Sequence, residues 1–265
     1  MVTTSVQTCA KHGRLMELIY LPTIDVIGHT TFREPVQPKV FWVAKDGPIT
    51  DAERLAEYSG RLCYLSFDNP AGRSTPEYIT NILKQAHFSV IEHANITLLI
   101  QGISRSCSHE LVRHRHCSFS QLSQRYCDES RAAFIVPPAL IGTDLVEWTR
   151  NVEEAQKAYI RQVELLFQQY EHIEDKTHRR KVAREAARSL LPNATETKIV
   201  ITGNLRTWRH LLELRTSEFA DREIRRLAVM ILEVIKQLAP TVFADFELYE
   251  PADGQTAARY TYKGA

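Results

Sequence analysis

Residues Ala94–Gln101, ANITLLIQ, decide how the chain is read. Their alternation and their Ile, Leu and Thr content are those of a strand, and Thr197–Thr202, TKIVIT, repeats the pattern. Helical periods surround both. Thr50-x-x-Glu53 is read as a capping box opening a helix through Leu55, Tyr58 and Leu62. Thr75 caps a second helix, with Pro76 at its first position, where a missing N–H costs nothing. Ser104–His116 is read as a short helix leading into extended chain, and Asp144–Glu171 as a long helix. The long helix carries Val152, Tyr159, Val163, Leu166 and Tyr170 on one stripe, facing either the chain's own core or another subunit. Further helices are expected at Arg179–Leu191, ended by Pro192, at Leu205–Leu214, and at Asp221–Leu238 before Pro240. A strand is expected within Leu15–Ile27 and a short one at Val40–Val43 in the His29–Pro48 loop, with a polar turn at Asp68–Ser74.

Sparse strands between unequal helices, with no internal repeat and no linker, indicate the α+β class. The expectation is a single domain in which a small mixed or antiparallel sheet packs with several helices, one of them long. Its bounds are 41–250, after a 1–40 extension with no clear assignment and before a mobile tail from 251 to 265.

Composition narrows the function. With 265 residues, the chain is long enough to bury a core without disulfides or metal. Its 33 Lys+Arg against 32 Asp+Glu leave a formal charge of +1, which argues against coating nucleic acid by bulk attraction. No apolar run approaches the ~20 residues of a membrane helix, and the first residues do not read as a secretory signal. Five cysteines, Cys9, Cys63, Cys107, Cys117 and Cys127, form no C-x-x-C pair and suit reduced thiols in a cytoplasm.

The unusual segment is Arg105–Tyr126, RSCSHELVRHRHCSFSQLSQRY. A zinc reading fails, because the residue four after His109 is Arg113 and His114 sits well round the helix. No metal is expected. The arginines suit anions instead, since a guanidinium offers phosphate or carboxylate a planar fork and stacks on flat rings. If Phe119–Tyr126 is extended, Gln121, Ser123 and Arg125 point to one side and can read a heterocycle and its phosphate. Neither a G-x-G-x-x-G nor a P-loop motif is present, so side chains and helix ends must hold any phosphate.

Arg113-His114-Arg115, seven residues, then Ser123 resembles the R-H-R-x7-S signature of flavin-dependent thymidylate synthases. HFSVIEH at 87–93, RKVAREAARSLLPNATET at 180–197 and GNLRTWRHLLELRTS at 203–217 also resemble that family. Residues 50–247 carry the likeness, and Ser120-Gln121 departs from the commoner Asn-Glu. The resemblance implies an FAD enzyme making dTMP from dUMP, with methylenetetrahydrofolate as carbon donor, NADPH as reductant and tetrahydrofolate released. Arg215 resembles the arginine that activates the pyrimidine. Glu110, Leu111, Val112, Arg113, Gln121, Leu122, Ser123, Gln124, Arg125, Arg188 and Arg215 resemble the dUMP-binding set. Ser89, Arg113, His114, Arg115, Gln121, Asn204, Leu205, Arg206 and His210 resemble the FAD-binding set, and His87, Arg105, Lys181 and Tyr126 join the site. The family implies a homotetramer with shared sites, and neither nucleic acid nor membrane as partner.

Plainer roles exist for several of these residues. His87 can cap a helix end, Arg188 can pair with Glu185, Arg215 can cap its helix, and Asn204 can be a turn residue. A nucleic-acid module resting on Arg179-Arg180-Lys181 and Arg222, Arg225 and Arg226 lacks a basic-aromatic platform and has acids interleaved. A metal hydrolase is weighed down by the broken H-E-x-x-H.

Overall fold

The alternation at Ala94–Gln101 becomes strand β4, Asn95–Ser104, and Thr197–Thr202 lies within strand β7, Glu196–Asn204. A computed structural model describes residues 16–36, 49–67 and 73–262, and the backbone of 7–9. The expected strand at Val40–Val43 and all but the end of the Asp68–Ser74 turn fall outside the described residues. In chain order the other strands are β1 Gln7–Cys9, β2 Met16–Ile19, β3 Thr23–His29, β5 Ser118–Gln121, β6 Phe134–Ile135, β8 Glu247–Tyr249 and β9 Ala257–Arg259. The helices are α1 Asp51–Tyr64, α2 Thr75–Lys84, α3 Arg105–Leu111, α4 Val146–Gln169, α5 Lys176–Ala187, α6 Leu205–Arg215 and α7 Arg222–Lys236. The class is α+β. One sheet has the order β3-β4-β7-β5, a second, mixed one the order β1-β2-β6, and β8 pairs antiparallel with β9.

The chain forms two compact units, each gathered from three separate stretches: 1–23, 100–111 and 120–199 make unit 1, and 24–99, 112–119 and 200–265 make unit 2. Within the stretch read as an N-terminal extension, residues 16–29 form strands β2 and β3 and are part of the fold.

In unit 1, Val152 of α4 packs with Met16, Leu18, Phe134 and Val136, while Tyr159 and Leu166 pack on Ala183 and Ala187 of α5. The α4 stripe therefore faces its own unit, which settles the alternative left open by its periodicity. Gly102 of β4 has φ +72°, and a Cβ there would meet Ile19 Cγ2 at 3.2 Å and the Leu21 carbonyl at 3.3 Å, so only glycine fits without strain.

In unit 2, α7 buries Ile224, Leu227, Ala228, Ile231, Leu232 and Ile235, and α6 buries Leu205, Trp208, Leu211 and Leu212. Each such side chain contributes roughly 1.5–3 kcal/mol by leaving water. Trp208 also donates its indole N–H to the Ile96 carbonyl, fixing α6 against β4.

Four local expectations change. Thr50 does cap α1 by accepting from the Glu53 N–H, but the Glu53 carboxylate accepts from the Thr241 N–H, so the reciprocal half of the box is absent. The inward face of α1 carries Ala56, Glu57, Gly60 and Arg61 rather than Leu62, which is exposed; Glu57 and Arg61 pair at 2.6 Å, which lets charge occupy that face. The complete capping box is at Ser74 and Glu77, one residue before the predicted cap. The tail is not loose through residue 262: Ala257 and Ala258 are buried, and the Tyr262 N–H donates to Asp245.

Candidate active site

In unit 2, strand β7 runs straight into helix α6 at Asn204. The Asn204 side-chain oxygen accepts from the Thr207 N–H at 2.8 Å, so this residue is the helix N-cap rather than the turn residue of its plainer reading. The helical repeat then turns Leu205, Trp208, Arg209 and Leu212 inward and brings Arg206 and His210 to a cavity of about 460 Å³. Phe88, Glu92, His116 and Asn204 also line it, and Arg206 meets Glu92 at 2.6 Å. Leu205 cannot serve a ligand through its side chain, which is fully buried, or through its N–H, which donates to the Ala94 carbonyl. Ser89 is exposed on the turn Phe88–His93. His87 is exposed, and its N–H closes the end of α2 on the Ile82 carbonyl.

The signature arginines and histidine separate by environment. Arg113 and Arg115 are exposed, whereas His114 is buried, with Nε2 accepting from Arg215 Nε at 3.0 Å. Burial, then the Arg215 charge, then His210 push the His114 pKa down to about 4. The ring is therefore neutral near pH 7 and carries its proton on Nδ1. The His210 ring stands edge-on to it, with centroids 6.2 Å apart.

In unit 1, the chain after β5 turns instead of continuing extended to Tyr126: the Ser123 carbonyl accepts from the Tyr126 and Cys127 N–H groups. Gln121 and Arg125 consequently do not form the one-sided row that an extended segment would give. Ser108 Oγ donates to the Arg105 carbonyl at 2.9 Å, so it can only accept from Gln121, whose amide nitrogen lies at 2.8 Å. That nitrogen also reaches Thr197 Oγ1 at 3.3 Å. The amide orientation is thus fixed by the hydroxyls, a demand a glutamate would not place on them. Arg105 donates to the Leu122 carbonyl, and Leu111 is wholly buried.

Arg125 pairs with Glu185 at 2.7 Å, so Glu185 does not serve Arg188, which is exposed. Exposed pairs of this kind contribute about 0–1 kcal/mol and yield readily to a phosphate. Arg125, Tyr126, Thr177, His178, Arg180 and Lys181 line a second cavity of about 510 Å³. Lys181 lies over the Tyr126 ring, 4.8 Å from its centroid, and its hydrogen bond and charge draw the phenol pKa down. Glu110 and Val112 lie at the end of α3 and just after it, and Gln124 within the turn at Ser123.

Sequence reasoning missed Arg209, Glu92 and His116 in the first cavity and His178, Arg180 and Arg184 in the second. Arg209 had a signal. It shares the i, i+3, i+4, i+7 face of Leu205, Trp208 and Leu212, where an arginine must find buried partners.

The Cys117 thiol is not poised as a nucleophile. Burial alone pushes the Cys117 thiol up to about 11, so it is protonated at neutral pH. Cys117→Ala and Cys127→Ala should each keep turnover within about threefold of wild type, since no covalent adduct depends on them. Loss of turnover with flavin still bound would show a thiolate at work. Among the described residues no group of three or more His, Cys, Asp or Glu side chains could hold a metal ion, and no helix is long and apolar enough to cross a membrane.

The α+β fold carries two donor-rich, arginine-lined cavities whose chemistry suits anionic groups. The family described as thymidylate synthase complementing protein matches residues 48–241. Flavin-dependent thymidylate synthases are 46% identical over 246 residues in Mycobacterium sp. (strain JLS), covering 89% of this chain and 94% of that protein, and 44% over 244 residues in Corynebacterium diphtheriae, covering 90% and 95%. The chain belongs to the flavin-dependent thymidylate synthase family. A UMP/dUMP methylase, PolB from Streptomyces cacaoi, solved with 5-Br dUMP, has the same fold, with a TM-score of 0.61 at 21% identity over 86% of this chain and 95% of that one.

Proposed function

We propose that this chain converts dUMP to dTMP, with methylenetetrahydrofolate as carbon donor and NADPH as reductant, and releases tetrahydrofolate. The observation that carries the reading is Arg215, held at Nε by a neutral histidine at the end of the helix whose first turn lines a donor-rich cavity. FAD fits the chemistry of that cavity: Arg206, His116 and His210 are donors for phosphate, and Arg209 Nε is buried without a hydrogen-bond partner. Bound, FAD supplies the hydride that folate does not. Ser89, Arg113, His114, Arg115, Gln121, Asn204, Leu205, Arg206 and His210 are the residues assigned to it.

Toward dUMP, Glu110 to Arg113, Gln121 to Arg125 and Arg188 are the assigned set. The guanidinium of Arg215 stabilises negative charge spreading toward N3 and the carbonyl oxygens of uracil, so C5 gains nucleophilic character. His87, Arg105, Lys181 and Tyr126 complete the assignment. The purified protein should be yellow with a flavin absorption band, and should form dTMP only when dUMP, methylenetetrahydrofolate and NADPH are all present. A colourless protein that forms none overturns the reading.

The working assembly is a cytoplasmic homotetramer with shared sites. Support comes from the family and from a fold with no Rossmann crevice to enclose a long dinucleotide. Ser89→Trp and Arg215→Ala, each severely impaired alone, should recover partial activity when unfolded and refolded together. A fully active monomer by light scattering excludes shared sites.

A further inference from the structure

We propose that His114 is the positioning residue for Arg215: the His114 ring nitrogen Nε2, 3.0 Å from Arg215 Nε, sets the plane of the guanidinium that acts on the pyrimidine. This rests on the role given to Arg215 above and assigns His114 a different task from the flavin contact that the signature implies.

An arginine on the last residue of a helix has a long, rotatable stem, and both ends of that stem must be fixed before its fork can select one ligand geometry. The stem is fixed at its base because α6 is pinned by buried Trp208, Leu211 and Leu212. At its far end, a bond to Nε removes rotation about Cδ–Nε, which no contact at the stem can do. The anchor itself is rigid. His114 is 8% exposed, and its carbonyl accepts from the Cys117 N–H at 3.0 Å, closing a tight turn around it.

Only an uncharged ring accepts a hydrogen bond at Nε2. The groups facing His114 are Arg215 and His210, and both disfavour a second positive charge, as does burial. The acceptor is therefore available throughout the neutral range. A ligand contact gives no reason for burying a histidine against a cation; presenting a fixed acceptor to that cation does.

The test compares His114→Leu, which removes the acceptor, with His114→Gln, whose carbonyl oxygen restores one, and repeats the first change in Arg215→Ala. Flavin content is read by absorbance, dUMP affinity by calorimetry, and dTMP formation at saturating dUMP. Assayed with saturating FAD, His114→Leu should lose about 10-fold or more in dTMP turnover, His114→Gln should recover most of that, and in Arg215→Ala the Leu change should add nothing, as expected for two residues acting as one unit. His114→Met, close to histidine in volume, replaces the Leu variant if that does not fold. Wild-type turnover in the variant without an acceptor overturns the proposal. So does activity fully restored by added FAD, or an undiminished further loss in Arg215→Ala. If Arg215→Ala itself retains turnover, the reading of Arg215 fails instead, whatever stands at position 114.

Discussion

Arg215→Lys should form dTMP about 10²–10³-fold more slowly than wild type at saturating dUMP, the range expected when one preorganised donor to a developing anion is lost. The change keeps the charge, so the loss must come from geometry. A lysine ammonium is a point charge without the planar fork, and it has no Nε to rest on His114. The plainer role, capping the end of α6, is already filled. The Thr216 N–H and hydroxyl both donate to the Leu212 carbonyl, so the helix ends properly without Arg215. A stability assay should accordingly show little change. Turnover in Arg215→Lys close to wild type returns this arginine to a structural role.

The candidate site was legible where chemistry is carried by residue type and hidden where it is carried by partners. Four arginines among serines in Arg105–Arg125 point to anion binding, and the signature spacing picks out His114 and Ser123. Nothing in the spacing showed that His114 is buried while Arg113 and Arg115 are exposed, because one residue of rotation in a turn separates the two fates. Leu111 and Leu205 fall inside matched motifs yet belong to the core. A motif match covers consecutive positions, whereas a folded segment can offer only some of them to a ligand. The plainer reading of Arg188 paired it with Glu185 by helical spacing, but Arg125, sixty residues away in sequence, holds that glutamate.

The fold divides in the same way. β4, β7, α4, α6 and α7 were legible because a strong hydrophobic period decides each one locally. Residues 251–262 were taken for a mobile tail because polar residues and glycine dominate them. Their order comes from distant partners, β8 and Asp245, which no local pattern reveals. The inward face of α1 was misassigned for a related reason: Glu57 and Arg61 neutralise each other there, so a charged pair occupies positions where apolar residues are expected.

Asp245→Ala should destabilise the protein by about 3–5 kcal/mol, the cost of leaving a buried charge without its partner. Arg209 is 1% exposed and makes a forked pair with both carboxylate oxygens of Asp245, at 2.7 and 3.0 Å. It also donates to the Val242 and Tyr262 carbonyls, so a single guanidinium joins α6, the segment after α7 and the end of the described chain. The rings of Phe88 and Phe246 flank it at 5.7 and 5.0 Å, and Glu213, 3.8 Å away, is a poor substitute for the lost fork. Burial raises the Asp245 pKa, but the Arg209 hydrogen bonds and charge, with the Tyr262 N–H, outweigh it and hold the carboxyl below its usual value. A depressed carboxyl stabilises fully above its unfolded value of roughly 3.9 and loses that contribution as pH falls through the lower folded value. Wild type should therefore lose stability on that acid limb, and Asp245→Ala should lack this part of the loss. Thermal melting at pH 7 and along a series down to pH 3 measures both effects. The expected shift at pH 7 is roughly 10 °C, from about 2–4 °C per kcal/mol for a chain of this size. A shift under about 2 °C at neutral pH would mean that water reaches Arg209 and that the pair does not hold the chain end in place.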